Sequence, residues 1–193
     1  MQSSTYTKIS NLVNCEIEVT QDFLDYQNFK IKTGNYNSAM NHYFSNFELL
    51  EFHLRQKKLI KEPIKWKKET KAWRHDGILD DYFLDFKHLA PRKDGSWFHN
   101  VSNKINPTQK PKTSSKQKLE ESISLGYLDY FVYYTTTPYN HGQRYALGDK
   151  ITHRFLNVLS AKDTMEKMKF NFKFPENNNY FYIVKEFNQL AYV

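Results

Sequence analysis

The chain has 193 residues, 39% hydrophobic and 17% aromatic, which is enough core material for one domain and argues against global disorder. Its formal net charge of +7 favours polyanionic partners, and the basic residues concentrate in Arg55 to Lys71 and Arg92 to Lys118. A single cysteine, Cys15, excludes an internal disulfide and a multi-Cys zinc site, and no apolar run is long enough to span a membrane.

In chain order, Leu12 to Thr20 and Phe23 to Thr33 read as extended, the second run closing on the turn signal Thr33-Gly34-Asn35. From Ser38 the period changes. Tyr43, Phe47, Leu50 and Leu54 fall within about 60° of arc, the apolar stripe of an amphipathic helix that should end near Lys61, before Pro63. Ile64 to Glu69 alternates weakly as a strand. Lys71 to Leu79 and Tyr82 to Leu89 form a β-hairpin around Asp80-Asp81, where Asp tolerates a tight turn.

Ala90 to Ser115 is polar, carries Pro91, Gly95, Pro107 and Pro111, and reads as a long surface loop. A helix follows over Lys116 to Leu125, capped from Ser114 or Ser115 with Glu120 as the capping-box candidate, and Gly126 stops it. Tyr127 to Thr136 is the strongest strand signal in the chain, aromatic and β-branched, and it ends before Pro138. Lys150 to Leu159 has helical spacing in Ile151, Phe155, Val158 and Leu159. After Pro175, Tyr180 to Val184 reads as a last strand, and no internal repeat appears.

The hairpin carries the chemistry. Asp85 and Lys87 are two apart on a strand and project from one face, and the preceding strand can bring Asp76 beside Asp85. Carboxylates in cross-strand contact repel one another unless a cation or shared proton compensates. Mg²⁺ resolves that conflict, because it takes oxygen ligands, accepts one or two carboxylates and leaves positions for water and a substrate phosphate. The chemistry that follows is phosphodiester hydrolysis, with a nearby lysine orienting or deprotonating the nucleophile.

Asp76 followed by Asp85-Phe86-Lys87 after a hairpin resembles the Asp … Asp/Glu-x-Lys signature of the PD-(D/E)XK nuclease superfamily. The resemblance covers Ser38 to Thr136, and the residue before the first Asp, His75, departs from the apolar residue or proline usual there. It implies an α/β fold in which helices flank a central mixed β-sheet. This would be a restriction-endonuclease-like core at about 38–136, with N- and C-terminal elaborations, inside a single domain of 1–193. It further implies that Asp76 and Asp85 bind metal and that Lys87 assists the attacking water. A carboxylate from the preceding helix often joins such sites; Glu51, about 100° from Leu50 on the helical wheel, lies nearer the buried face than Glu48 at about 160°.

The resulting expectation is an Mg²⁺-dependent DNA endonuclease, with Mn²⁺ able to substitute, in which Asp76, Asp85, Lys87 and Glu51 form the catalytic group. Arg92, Lys93, Lys112, Lys116 and Gln117 are the candidate contacts to the nucleic-acid backbone, and a homodimer is a candidate assembly. The alternatives are a catalytically inactive nucleic-acid-binding module of the same fold, and a structure-specific resolvase or RNase. A zinc site is disfavoured because His75, His88, His99, His141 and His153 contain no HxxxH pair. His88 should point away from the Asp85 face by strand alternation. Trp66, Trp73 and Trp97, set among basic residues, are candidates for stacking on bases. The start, Met1 to Thr5, lacks a basic segment leading into an apolar one, so a cytoplasmic protein without a membrane partner is expected.

Overall fold

The computed structural model describes residues 15–32, 49–50, 52–53, 56, 77–79, 81–105, 113–139, 145–171, 173–174 and 179–184. Within them the chain runs β1 (Cys15–Glu18), α1 (Gln21–Lys32), β2 (Gly77–Leu79), β3 (Tyr82–His88), β4 (Trp97–Ser102), α2 (Ser115–Ser124), β5 (Tyr130–Thr137), β6 (Lys150–Ser160), α3 (Ala161–Asn171), β7 (Lys173–Phe174) and β8 (Asn179–Val184). A five-stranded mixed sheet has the order β1-β6-β5-β3-β2, and β4, β8 and β7 form a second, antiparallel sheet. The class is therefore α/β, a mixed sheet flanked by helices.

The hairpin β2/β3 is antiparallel with Gly77 opposite Leu84, and Asp81 takes the left-handed conformation (φ 67°) that its short polar side chain tolerates. β3 then pairs in parallel with β5, a geometry that requires a crossover, here supplied by β4 and α2. Asp129 sets this pairing at its start: its Oδ2 accepts from the Phe83 N–H at 2.8 Å, and its own N–H donates to the Phe83 carbonyl at 2.9 Å. The register that follows places Asp85 beside Phe131 and Lys87 beside Tyr133.

α2 begins at a capping box in which the Gln117 N–H donates to Ser114 Oγ and the Ser114 N–H donates to Gln117 Oε1. The reciprocal partner is thus Gln117 rather than Glu120. Gly126 ends the helix with φ +75°, as its freedom from a Cβ allows.

Three expectations are overturned. Phe23 to Thr33, read as a strand, is helical in α1 through Lys32; the Thr20 hydroxyl accepts from the Phe23 N–H, and Gln21 bonds Asp25 one turn on. The supposed loop Ala90 to Ser115 contains β4, whose Trp97, His99 and Val101 alternate inward. Lys150 to Leu159, read as helical, is the long strand β6. A β-bulge explains that misreading. Tyr133 pairs with Asn157 but Tyr134 with Phe155, so Leu156 is an extra residue. The shift in phase gives the apolar residues Ile151, Phe155 and Val158 a spacing that imitates a helix.

One face of the large sheet meets α2, α3, β4 and β8 in a core that includes Trp97, Val101, Leu119, Phe131, Tyr133, Leu156, Met165 and Val184. The other face meets α1 near Ile17, Val19, Phe23, Leu49 and Ile151. Leu49, Leu50, Phe52, His53 and Gln56 are helical, in keeping with the helix expected there.

Replacing Asp129 by Ala removes the acceptor of the Phe83 N–H without touching an apolar contact, and should cost about 1–3 kcal/mol. Urea denaturation checks this, and Asp129→Asn, which retains an acceptor oxygen, should lose less.

Candidate functional site

Strand alternation puts Phe83, Asp85 and Lys87 on the face of β3 that looks toward α2, α3 and the small sheet. Asp85 is buried, at 4% exposure, and its Oδ1 lies 2.9 Å from Lys87 Nζ. The lysine side chain retains 24% exposure, and its ammonium stands 5.8 Å from the Phe131 ring centroid. One carboxylate and one ammonium therefore meet at the margin of the core, with the ammonium on the wetter side.

Two further polar side chains, His99 of β4 and Tyr133 of β5, stand against this pair. His99 Nδ1 and the Tyr133 hydroxyl are 2.8 Å apart and both residues are buried. The His99 ring also meets Phe131 edge to face, with centroids 4.7 Å apart. Burial drives the His99 pKa well below its ordinary value, and the positive charge of Lys87 adds to the effect. Burial likewise drives the Tyr133 phenol well above its ordinary range, reinforced by the negative charge of Asp85 and by Tyr182. A neutral imidazole and a neutral phenol thus line the charged pair. The sequence offers His99 only as a disfavoured zinc ligand and Tyr133 only as part of a strand; the alternation of Trp97, His99 and Val101 is the signal that turns His99 inward.

The remaining expected site residues separate into groups. Asp76, Glu51 and Lys112 lie outside the described residues, as do Trp66, Trp73, His75 and His141. Arg92 and Lys93 are exposed; the Arg92 guanidinium lies 3.5 Å from the Phe98 ring centroid, and its Nε is 3.8 Å from Asp94. Hydrogen bonds from Ser96, with the charge of Arg92 as a lesser cause, hold the Asp94 carboxyl below its ordinary range. Lys116 Nζ stands 3.7 Å from Glu120 and 4.6 Å from the Tyr180 ring centroid. Gln117 is committed through its side-chain oxygen to the cap of α2.

His88 does point to the opposite face, where its Nε2 is 2.9 Å from Thr136 Oγ1 and its ring stacks on Tyr139. Trp97 corrects an expectation: at 4% exposure it is a core residue with no open face for a base. Among the described residues no three His, Cys, Asp or Glu side chains come together in a metal-binding group. No described helix is long and apolar enough to cross a membrane. No family model, curated protein or solved structure matches the chain.

The neutral state of His99 makes stability pH-dependent. Its folded pKa lies below the ordinary 6.5, so the unfolded chain takes up the proton first as pH falls. The stabilisation is complete above 6.5 and declines as pH drops toward the folded pKa, by at most about 1.4 kcal/mol per pH unit. Urea unfolding between pH 7.5 and 5 should show the loss, and His99→Gln should flatten it.

Proposed function

We propose that the chain is an Mg²⁺-dependent DNA endonuclease of the PD-(D/E)XK type, centred on Asp85 and Lys87. The observation that carries this reading is the 2.9 Å approach of Asp85 and Lys87 on one face of β3. That strand follows a hairpin and passes through an α2-containing crossover to the parallel strand β5. The resemblance implies a central mixed sheet with flanking helices, and the mixed sheet that holds this strand is compatible with it.

The donor chemistry fits a hard divalent cation. An ionised carboxylate offers oxygen ligands, and Mg²⁺ accepts as few as one or two from protein. Asp85 would hold the ion, and the reading requires Asp76 and Glu51 to supply further oxygens. A bound Mg²⁺ would lower the pKa of a water and offset charge on the phosphoryl oxygens.

The chain's own residues supply position and field. Lys87 offers three N–H donors from a half-buried site, one directed at Asp85, leaving it able to hydrogen-bond a phosphoryl oxygen or orient the attacking water. The His99–Tyr133 pair excludes water behind Lys87 without adding a second charge. Phe131 packs against the lysine from below, which restricts its rotamers. Arg92 and Lys93, exposed before β4, would contact the backbone of the duplex through charge, without reading its sequence.

A second reading, an inactive nucleic-acid-binding module of the same fold, draws on a specific observation. Asp85 is buried and already paired with Lys87, so its charge is compensated without a metal.

Incubation of supercoiled, linear, branched and single-stranded DNA, and of RNA, with Mg²⁺ or Mn²⁺ separates the readings. The nuclease should cut at least one substrate in a metal-dependent way, Asp85→Ala should abolish cutting, and Lys87→Ala should slow it by roughly 10²–10³-fold while leaving binding intact. Salt-sensitive binding with no cutting of any substrate would establish the inactive module instead.

A further inference from the structure

The outer face of the small sheet has a chemistry of its own. β4 turns Trp97, His99 and Val101 into the core, so Phe98, Asn100 and Ser102 look the other way. Phe98 and its cross-strand neighbour Ile183 are half-buried, and Asn100 is exposed. Arg92 Cζ lies 3.5 Å from the Phe98 ring centroid, and the Arg92 side chain keeps 43% exposure. At that distance an edge-on guanidinium would drive its nitrogens inside van der Waals contact, so the two planes are stacked. One side of the guanidinium plate rests on Phe98, and the other faces solvent. Asp94 approaches only an edge of the plate, at Nε and 3.8 Å.

The plate stands on a fixed turn. The Arg92 N–H donates to the Ser96 carbonyl at 3.2 Å, and the Gly95 N–H donates to the Arg92 carbonyl at 3.0 Å. Asp94 Oδ1 accepts from both the N–H and the hydroxyl of Ser96. A group ordered in advance loses less freedom when a ligand arrives. Charge follows the same strand. Lys93 is exposed beside Arg92, and Lys104 is exposed just past the other end of β4, whose six residues span roughly 20 Å at strand rise. Asp94 is the only acidic residue between Pro91 and Ile105.

The partner that fits this face carries negative charge along its length and has flat rings free to lie on a cationic plate. Single-stranded nucleic acid has both, whereas a duplex keeps its ring faces inside its own stack and an acidic peptide offers charge without rings. We propose that the outer face of the small sheet binds single-stranded nucleic acid, with a base stacked on the open side of the Arg92 guanidinium and the backbone following β4 from Lys93 toward Lys104. Arg92 thereby meets a base with its face, while the two lysines meet phosphates. The choice of a nucleic acid rests on the function proposed above; its single-stranded form rests on the plate.

Fluorescence anisotropy of the full chain in EDTA tests this with three labelled probes: an oligothymidylate of about ten nucleotides, an abasic strand of the same length and a hairpin duplex. The oligothymidylate should bind roughly tenfold or more tighter than the abasic strand, and tighter than the duplex. Arg92→Lys keeps the charge but removes the plate, so it should weaken the oligothymidylate roughly tenfold and leave the abasic strand within about twofold. Phe98→Leu should act in the same direction. Lys93→Gln and Lys104→Gln should weaken both single strands and each lower the salt slope by about one. Arg92 and both lysines are exposed, which keeps the test decisive if Phe98→Leu fails to fold. No binding, equal binding of the oligothymidylate and the abasic strand, a preference for the duplex, or an Arg92→Lys variant that retains the full difference overturns the platform. Because metal is absent and no cleavage is scored, a chain that shows the difference but never cuts sinks only the nuclease reading. One that cuts DNA with Mg²⁺ but lacks the difference sinks only the platform.

Discussion

The parallel pairing of β3 with β5 is the constraint on which the rest of the structure depends. A parallel pair cannot be closed by a tight turn, so the chain between His88 and Tyr130 must leave the sheet, cross a face and return. What crosses is β4 and α2, and they cover the face on which Asp85 and Lys87 project. The two hydrogen bonds between Asp129 and Phe83 set the register at the first residue of the return. A slip of one residue would send Phe131 and Tyr133 to the opposite face and leave Lys87 with different neighbours.

Energetics then explain why the charged pair sits where it does. Full burial of an ion pair is often no better than an apolar replacement, because desolvation offsets the attraction. Here the cost is divided unevenly: Asp85 is buried while Lys87 keeps about a quarter of its side-chain surface in water. The groups behind the pair add no third charge, since burial holds both His99 and Tyr133 neutral. Removing Lys87 would leave an uncompensated buried carboxylate, which is the larger penalty. The pair is thus neutral as a unit, with its cationic end on the exposed side.

Where hydrophobic period and turn chemistry agreed, the sequence was legible: the hairpin around Asp80-Asp81, the helix ended by Gly126, the aromatic strand β5 and the last strand β8 all stand where their residues imply. The placing of Asp85 and Lys87 on one face, with His88 on the other, followed from alternation alone. The failures have physical causes. β4 alternates Trp, His and Val with Phe, Asn and Ser, so its polar residues hid the period in a Pro- and Gly-marked stretch. α1 mixes aromatic and polar residues, and the Thr20 cap, not the apolar pattern, was its clearest signal. β6 was concealed by its bulge. His99 was invisible as a neighbour of Tyr133 because their meeting depends on β4 and β8 forming a second sheet from distant parts of the chain.

The same bulge divides the chemistry of the large sheet between its faces. Had the register of Leu159 and Asn157 continued without the bulge, Arg154 would fall on the face of Val158 and Tyr134, across the sheet from Lys87, and Phe155 would take its place on the face of Tyr133. A guanidinium there would meet the rings of Tyr134 and His88. With the bulge, Arg154, Lys87 and the carboxylate of Asp85 share one side, and the ring-rich layer is left to packing. The arrangement therefore separates the two demands on a mixed sheet. One face supplies an apolar and aromatic support, and the other carries the charged side chains Asp85, Lys87 and Arg154.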